Sequence, residues 1–265
     1  MADNDITGRL ALITGASSGI GASCAHALAA RGCHLALTYS KNLPGMQQVV
    51  ASLRSARDLS SSAGPSAGSA SSGLRISIHQ VDVGLVGDMT RMFAEIQQEH
   101  GARVVDILVS NAGYGKRIVD IWDIPLAEFE HALNVNLRAS FVLVQGVVAG
   151  MKAQRWGRII FMSSIAAQGG GINGCHYAAS KGGLTGMMRN LSSKLAPLNI
   201  SVNDVAPALI GETGMIPTAD TVPGGTSSIP LGRLGDPSEV ANVVLMLATT
   251  GYMTGQSLLL AGGLK

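Results

Sequence analysis

The sequence predicts an α/β fold, a doubly wound parallel sheet of about seven strands with helices on both faces. Three observations predict it. Short runs of aliphatic and β-branched residues alternate along the chain with longer segments of helical periodicity. A glycine-rich turn, Thr14-Gly15-Ala16-Ser17-Ser18-Gly19-Ile20-Gly21, joins the first such run to the first helical segment. No separate core pattern begins after any loop, so residues 1–265 read as one domain.

The elements follow in order. Residues 10–14 (LALIT) are an apolar run read as a buried strand, and residues 20–31 carry the small and aliphatic side chains of a helix. Residues 34–39 (HLALTY) form the second strand, and in 44–57 Met46, Val49, Val50 and Leu53 recur at helical spacing. Ile76 and Ile78 alternate with Ser77 and His79 in a strand at 75–81, followed by a helix at 86–100 with Met89, Met92 and Ile96 on one side. Residues 104–109 (VVDILV) are the fourth strand and 126–153 the longest helical pattern. A strand at 158–162 (RIIFM), a helix at 176–196, a strand at 201–205 (SVNDV), a helix at 238–248 and a strand at 258–260 complete the series. Right-handed crossovers place such helices on both faces of the sheet.

Composition narrows the function. Hydrophobic residues make up 46% and charged residues only 14%, against roughly 25% charge in an average soluble domain. Such a chain is not disordered, and so little charge predicts surface buried between subunits. The richest apolar stretch, 141–151, is broken by Gln145, Gly146 and Gly150, short of the roughly 18 uninterrupted apolar residues of a spanning helix, so no membrane association is expected. A net charge of +2 from 19 basic and 17 acidic residues offers no stripe for nucleic acid. Cys24, Cys33 and Cys175 are odd in number and lack metal-ligand spacing, so neither disulfides nor a metal site is expected. The acidic start Met1-Ala2-Asp3-Asn4-Asp5 is unlike a secretory or transit peptide and predicts a cytoplasmic location.

Two segments break the alternation. Residues 60–73, rich in Ser, Ala and Gly, have the composition of a flexible surface loop. Residues 207–235, which hold Pro207, Pro217, Pro223 and Pro230, follow the carboxyl end of a strand, where ligands bind in open α/β sheets, and are expected to form a substrate lid.

In the glycine-rich turn, backbone N–H groups and the helix dipole attract phosphate, and Gly15, Gly19 and Gly21 let a pyrophosphate approach the backbone beside Ser17, Ser18 and Ile20. The same residues also satisfy GxSxG, so a hydrolase elbow with Ser17 as nucleophile shares this setting. A carboxylate at the end of the second strand holds the ribose of NAD, but no Asp or Glu occurs from Ile6 to Arg57. The strand ends instead in Tyr39-Ser40-Lys41-Asn42, a hydroxyl, an ammonium and an amide for a 2′-phosphate, so NADP(H) is the expected cofactor. Tyr177 and Lys181 lie four residues apart, adjacent on one helix face. A lysine so placed favours the phenolate and lowers a tyrosine pKa from its usual value of about 10.

Together, TGASSGIG, Asn111-Ala112-Gly113 after the fourth strand, Ser164 thirteen residues before Tyr177, YAASK, VNDVAP at 202–207 and TGQ at 254–256 closely resemble the classical short-chain dehydrogenase/reductase family. The resemblance implies a Rossmann-type fold, a homotetramer, and NAD(P)(H) chemistry without metal. It implies Tyr177 as the general acid that protonates a carbonyl oxygen, Lys181 as the residue that holds the nicotinamide ribose and lowers the Tyr177 pKa, and Ser164 as a donor to the substrate oxygen. Asn136 matches the asparagine that kinks the central helix and supports a water relay to Lys181. Ser163 competes with Ser164, whose spacing from Tyr177 is the matching one. The resemblance further makes Ile20 a nicotinamide-side contact, Asp82 and Val83 an adenine contact, and Asn111, Ala112 and Gly113 a floor beneath the adenosine. Thr213 resembles the threonine that meets the carboxamide, although Pro207-Ala208 replaces Pro-Gly and Gly211 reads as an extra residue before Glu212.

The overall pattern is closest to 3-oxoacyl-acyl-carrier-protein reductases, so the expectation is NADPH-dependent reduction of a carbonyl, a 3-oxoacyl thioester. Arg155 matches the first of two arginines that dock the carrier protein in bacterial members, and Leu198 occupies the second position. A ketoreductase of a small ketone or secondary-metabolite intermediate is the alternative, and a non-catalytic NADP-binding regulator the remote one. A Ser17 hydrolase leaves YAASK unexplained. The six histidines show no metal spacing; only His176 adjoins the expected site, and Trp122 and Trp156 are expected to pack in the core or an interface.

Overall fold

Seven strands, β1 (Leu10–Ile13), β2 (His34–Tyr39), β3 (Ile76–Gln80), β4 (Ile107–Ser110), β5 (Gly157–Met162), β6 (Ile200–Pro207) and β7 (Ser257–Leu260), pair in the order β3-β2-β1-β4-β5-β6-β7. Every pairing is parallel. The computed structural model describes residues 4–61, 73–169 and 171–265. The described helices are α1 (Gly19–Ala30), α2 (Leu43–Ser61), α3 (Val86–Glu99), α4 (Leu126–Leu133), α5 (Ala139–Gln154), α6 (Ala166–Gly169), α7 (Cys175–Leu195) and α8 (Pro237–Thr249).

Alternation along the strands sorts the core into two layers. Ala11 and Ile13 face a layer with Leu28 of α1, Leu53 of α2, and Val244 and Leu247 of α8. Leu10 and Leu12 face the other, with Met92 of α3, Leu143 and Val147 of α5, and Leu184 and Met188 of α7. Because both faces are covered, the central strands read in sequence as nearly continuous apolar runs. The chain winds outward from β1 to β3, then returns to place β4 on the other side of β1. That reversal opens a crevice at the carboxyl ends of β1 and β4, where open α/β sheets bind ligands.

The expected elements are present, and the structure refines several of them. The pattern at 126–153 is not one regular helix: a π-helical segment, Asn134–Arg138, separates α4 from α5. The combined helix Leu126–Gln154 is 29 residues and passes the length and composition test for a membrane-spanning helix, a test that the core helix of a globular protein also passes; here its inner side lies in the second core layer. α2 runs to Ser61, so the loop expected from residue 60 starts later, and its residues 62–72 lie outside the described residues. Trp156 is buried, with the guanidinium carbons of Arg9 and Arg158 4.0 and 4.3 Å from the centroid of its ring, whereas Trp122 is 80% exposed and does not pack within the chain. Residues 207–235 form an irregular excursion with short turns at Ala219–Thr221 and Gly225–Ser228, closed by a bridge between Ile210 and Gly235 and pinned by buried Val222 and Ile229.

Candidate active site

The glycine turn is built by contacts from three strands. The Gly15 N–H donates to Thr38 Oγ1 (3.2 Å) and the Ala16 N–H to Thr38 O (2.8 Å). Asn111 Nδ2 donates to the carbonyls of Thr14 (2.9 Å) and Gly15 (3.1 Å), while the N–H groups of Asn111 and Ala112 donate to Thr14 Oγ1. Gly15 has a left-handed φ of 66°, and a Cβ on Gly21 would stand 2.3 Å from the Gly15 carbonyl, so both positions demand glycine. Ser18 precedes α1 without capping it, and the first turn of α1 holds no acidic residue, which leaves its N–H groups for an anion.

The other expected cofactor residues surround this turn. Tyr39 is buried, and Ser40 and Lys41 follow it exposed at the end of β2. The Val81 N–H donates to Tyr39 O (2.8 Å) and brings in Asp82, whose Oδ1 accepts the Gly84 N–H (2.9 Å), and buried Val83. Thr213 lies over Gly19, its Cγ2 3.3 Å from where a Gly19 Cβ would stand. Its hydroxyl donates to Ile210 O and accepts the Ile216 N–H, both at 3.1 Å, so that group is committed to the turn it sits in. Ile20 is half-buried beside the first core layer.

At the ends of β4 and β5 the structure brings together Asn136, Ser164, Tyr177 and Lys181. Ser163 and Ser164 diverge at the end of β5. Ser163 Oγ donates to Lys181 O and lies 3.3 Å from Thr185 Oγ1, while the Ser164 hydroxyl bonds the Tyr177 phenol and accepts the Ala166 N–H (3.2 Å). It is thus Ser164 that meets Tyr177. Lys181 is buried; its Nζ donates to Met162 O (2.7 Å) and stands 5.7 Å from the Tyr177 ring centroid. Asn136, on the π-helical segment, accepts the Tyr114 N–H at Oδ1 (2.7 Å) and donates through Nδ2 to Tyr114 O and Ser180 Oγ, both at 2.9 Å. A Cβ on Gly113 would stand 3.4 Å from both Lys181 Nζ and Asn136 Oδ1, so the segment after β4 passes directly over this cluster.

Burial dominates the electrostatics. It pushes the Tyr177 phenol above its ordinary pKa, and the hydrogen bond from Ser164 only partly opposes this. The expected lowering by Lys181 is therefore not found, because burial outweighs it. Burial also pulls Lys181 down to about 8, against the opposing charge of Asp204. Asp204, buried in β6, accepts Thr185 Oγ1 (2.9 Å) and Ser257 Oγ (2.6 Å); burial raises its carboxyl pKa, and those bonds resist the rise. Sequence reasoning passed over Asp204 although it lies within VNDVAP, because only the neighbouring strand order brings it under α7. It also passed over Tyr114, which carries no motif. Among the described residues no histidine bonds Ser17, so the hydrolase arrangement is not formed, and none could assemble a three-residue metal site with Cys, Asp or Glu.

A family model described as short chain dehydrogenase matches residues 9–221. A 3-oxoacyl-[acyl-carrier-protein] reductase of Aquifex aeolicus is 32% identical over 98% of both chains. An acetoacetyl-CoA reductase of Allochromatium vinosum is 32% identical over 97% of this chain and 98% of that one. A crystal structure of a 3-oxoacyl-[acyl-carrier protein] reductase from Brucella melitensis with bound NAD superposes with a TM-score of 0.82 at 28% identity, covering 98% of this chain and 92% of that one. By the family model over residues 9–221 and by these relatives, the chain belongs to the short chain dehydrogenase family of oxidoreductases.

Proposed function

We propose that this protein reduces the keto group of a 3-oxoacyl thioester with NADPH. The observation that carries the reading is the convergence of Ser164, Tyr177 and Lys181 at the carboxyl ends of the strands that hold the glycine turn. The residues present fit a nicotinamide dinucleotide. The uncapped first turn of α1 and the backbone at Gly15 suit its pyrophosphate, and by the family resemblance Asn111, Ala112 and Gly113 would lie beneath the adenosine and Ile20 would meet the nicotinamide. Asp82 and Val83 close the adenine end, and Thr213 lies above the turn. When bound, the cofactor supplies the hydride.

The chain's own residues manage the proton. Tyr177, kept protonated at neutral pH by burial, holds its proton at Oη for the carbonyl oxygen. The Ser164 hydroxyl orients and polarises that oxygen as a fixed donor. Lys181 spends one N–H on Met162 O and keeps its others for the nicotinamide ribose and proton resupply. Asn136 holds the backbone of Tyr114 and, through Ser180, the second turn of α7 in register, which maintains the relay at the π-helical segment. Ser40 and Lys41, exposed beyond Tyr39 with no carboxylate nearby in sequence, favour a 2′-phosphate and hence NADPH.

The thioester assignment draws on the relatives, two of which act by name on 3-oxoacyl-[acyl-carrier-protein] and acetoacetyl-CoA. Leu198, in place of a second docking arginine, favours a second reading in which the substrate is a small ketone not presented by a carrier protein. The test is NADPH oxidation against a carbonyl panel that includes acetoacetyl thioesters, with NADH in parallel. Thioester turnover is expected, with an NADPH preference of about tenfold or more, the scale of one or two charge-assisted hydrogen bonds, which Lys41→Ala reduces. Turnover of simple ketones alone moves the substrate to the second reading, and equal rates with NADH remove the Ser40-Lys41 argument.

A further inference from the structure

We propose that Tyr114, Glu128 and His176 form a clamp that positions Tyr177 against the wall of the carbonyl pocket, so that they are positioning residues for the reduction. The inference rests on the reductase reading for its catalytic readout. Its geometric half stands separately.

The wall begins at Gly113, beside Lys181 Nζ, and continues through Tyr114 to Ile118. The main chain of Tyr114 is gripped at both its N–H and its carbonyl by Asn136. Its side chain is held independently: the phenol donates to Glu128 Oε1 (2.6 Å), and the ring meets His131 edge-on at 4.5 Å between centroids. Glu128, on α4, takes Lys116 Nζ on its other oxygen (3.2 Å). Burial, followed by the Glu128 contact, pushes the Tyr114 phenol up to about 12, so this hydrogen bond persists across the physiological range.

His176 joins this segment to the residue that carries the proton. It is fully buried in the first turn of α7, directly before Tyr177, and its Nε2 lies 3.0 Å from the Lys116 carbonyl. A carbonyl can only accept, so Nε2 carries a hydrogen. Nδ1 is buried and has no partner among the described residues. An orphaned buried polar atom is unfavourable, and an aliphatic side chain would fill the space without that cost. What the imidazole adds is a direct bond from the Tyr177 turn to the wall, beside the weaker ties just before α7 from the Ile118 N–H to Asn173 O (3.4 Å) and from Arg117 Nε to Ile172 O (3.3 Å). The same wall touches the expected lid, since a Cβ on Gly115 would stand 3.1 Å from Met215 Sδ and 3.2 Å from Asn173 Nδ2. Loosening the clamp therefore shifts Tyr177 relative to the carbonyl, and a misplacement of about 1 Å costs about a hundredfold in rate.

The test compares His176→Leu and Tyr114→Phe with wild type, and His176→Gln as the conservative variant whose amide can still donate to Lys116 O. Two readouts are followed: kcat and KM for carbonyl and for NADPH, and the rate of iodoacetamide alkylation at Cys175, exposed at the start of α7 while Cys24 and Cys33 are buried. The expected result is a kcat lowered about tenfold or more by partial misalignment with the KM for NADPH little changed. Faster Cys175 alkylation should accompany it, and both effects should be largely reversed in His176→Gln. Wild-type alkylation rates in both His176→Leu and Tyr114→Phe overturn the clamp whatever the kinetics, as does a His176→Gln enzyme as impaired as His176→Leu. A wild-type enzyme that reduces no carbonyl overturns the reductase reading instead, and the alkylation comparison still decides the clamp.

Discussion

Tyr177 and Lys181 illustrate how burial rather than pairing sets the chemistry of a residue. Both sit in the first turns of α7 with almost no solvent contact, so each disfavours its charged form. For a carbonyl reduction that is useful, because the phenol must keep its proton until the oxygen needs it. Tyr177→Phe is expected to lower kcat by about 10²–10⁴-fold, the usual worth of a general acid, while NADPH binding, followed by cofactor fluorescence, stays intact. The rate of reduction should be level near neutrality and fall as the pH passes about 8, where Lys181 loses its proton. A kcat profile that stays flat through the alkaline range contradicts that assignment.

Two elements carry their own predictions. α8 opens with a capping box: Asp236 accepts the Ser238 N–H (2.7 Å), Glu239 accepts the Asp236 N–H (2.8 Å), and Pro237 occupies the first turn. Asp236→Ala should destabilise the protein by about 1 kcal/mol, read as a lower urea midpoint at unchanged m. At the opposite edge, β3 and α3 enclose a buried chain of polar groups. His79 Nδ1 meets Glu95 Oε2 (2.8 Å), and Ser77 Oγ lies between His79 Nε2 (2.8 Å) and His100 Nε2 (2.9 Å). Burial, then the charges of His34, His79, Arg75 and Arg103, pull His100 down to about 4. A histidine reluctant to charge in the folded state binds more protons when unfolded. Its contribution is therefore complete above the unfolded pKa of about 6.5 and is lost as the pH falls towards the folded value. Lowering the pH from about 7 to about 4.5 should remove up to about 3 kcal/mol through this group. His100→Gln should flatten that part of the curve; an unchanged slope would show that other groups cause it.

For the whole molecule, the low charge content of 14% has a visible counterpart. Phe141, Gln145 and Ala149 repeat every four residues on the outer side of α5, with Phe141 half-exposed, and Leu259 and Tyr252 are exposed near the edge strand β7. Apolar surface of this kind on a helix face and a sheet edge is the kind that closed symmetric oligomers cover. The proposal is a homotetramer, and light scattering at micromolar concentration should report four times the 27.2 kDa chain mass. A monomer would leave these surfaces without an explanation.

The sequence by itself determined the βα alternation, the glycine turn and the adjacency of Tyr177 and Lys181. The reason is that these are local properties. Strands buried on both faces read as apolar runs, close backbone approaches admit only glycine, and residues four apart share a helix face. The tertiary structure alone decided the rest. The strand order put Asp204 beneath α7, Met162 O opposite Lys181, and the end of β4 over Asn136, none of which lies near its partner along the chain. The π-helical segment was hidden from periodicity, since an extra residue in a helical turn leaves the apolar pattern of 126–153 almost unchanged; only the family resemblance, through Asn136, pointed to a kink there. The direction of the Tyr177 shift came out opposite to the expectation from Lys181, because a pair spacing reports which charges are near but not how much water has been removed around them.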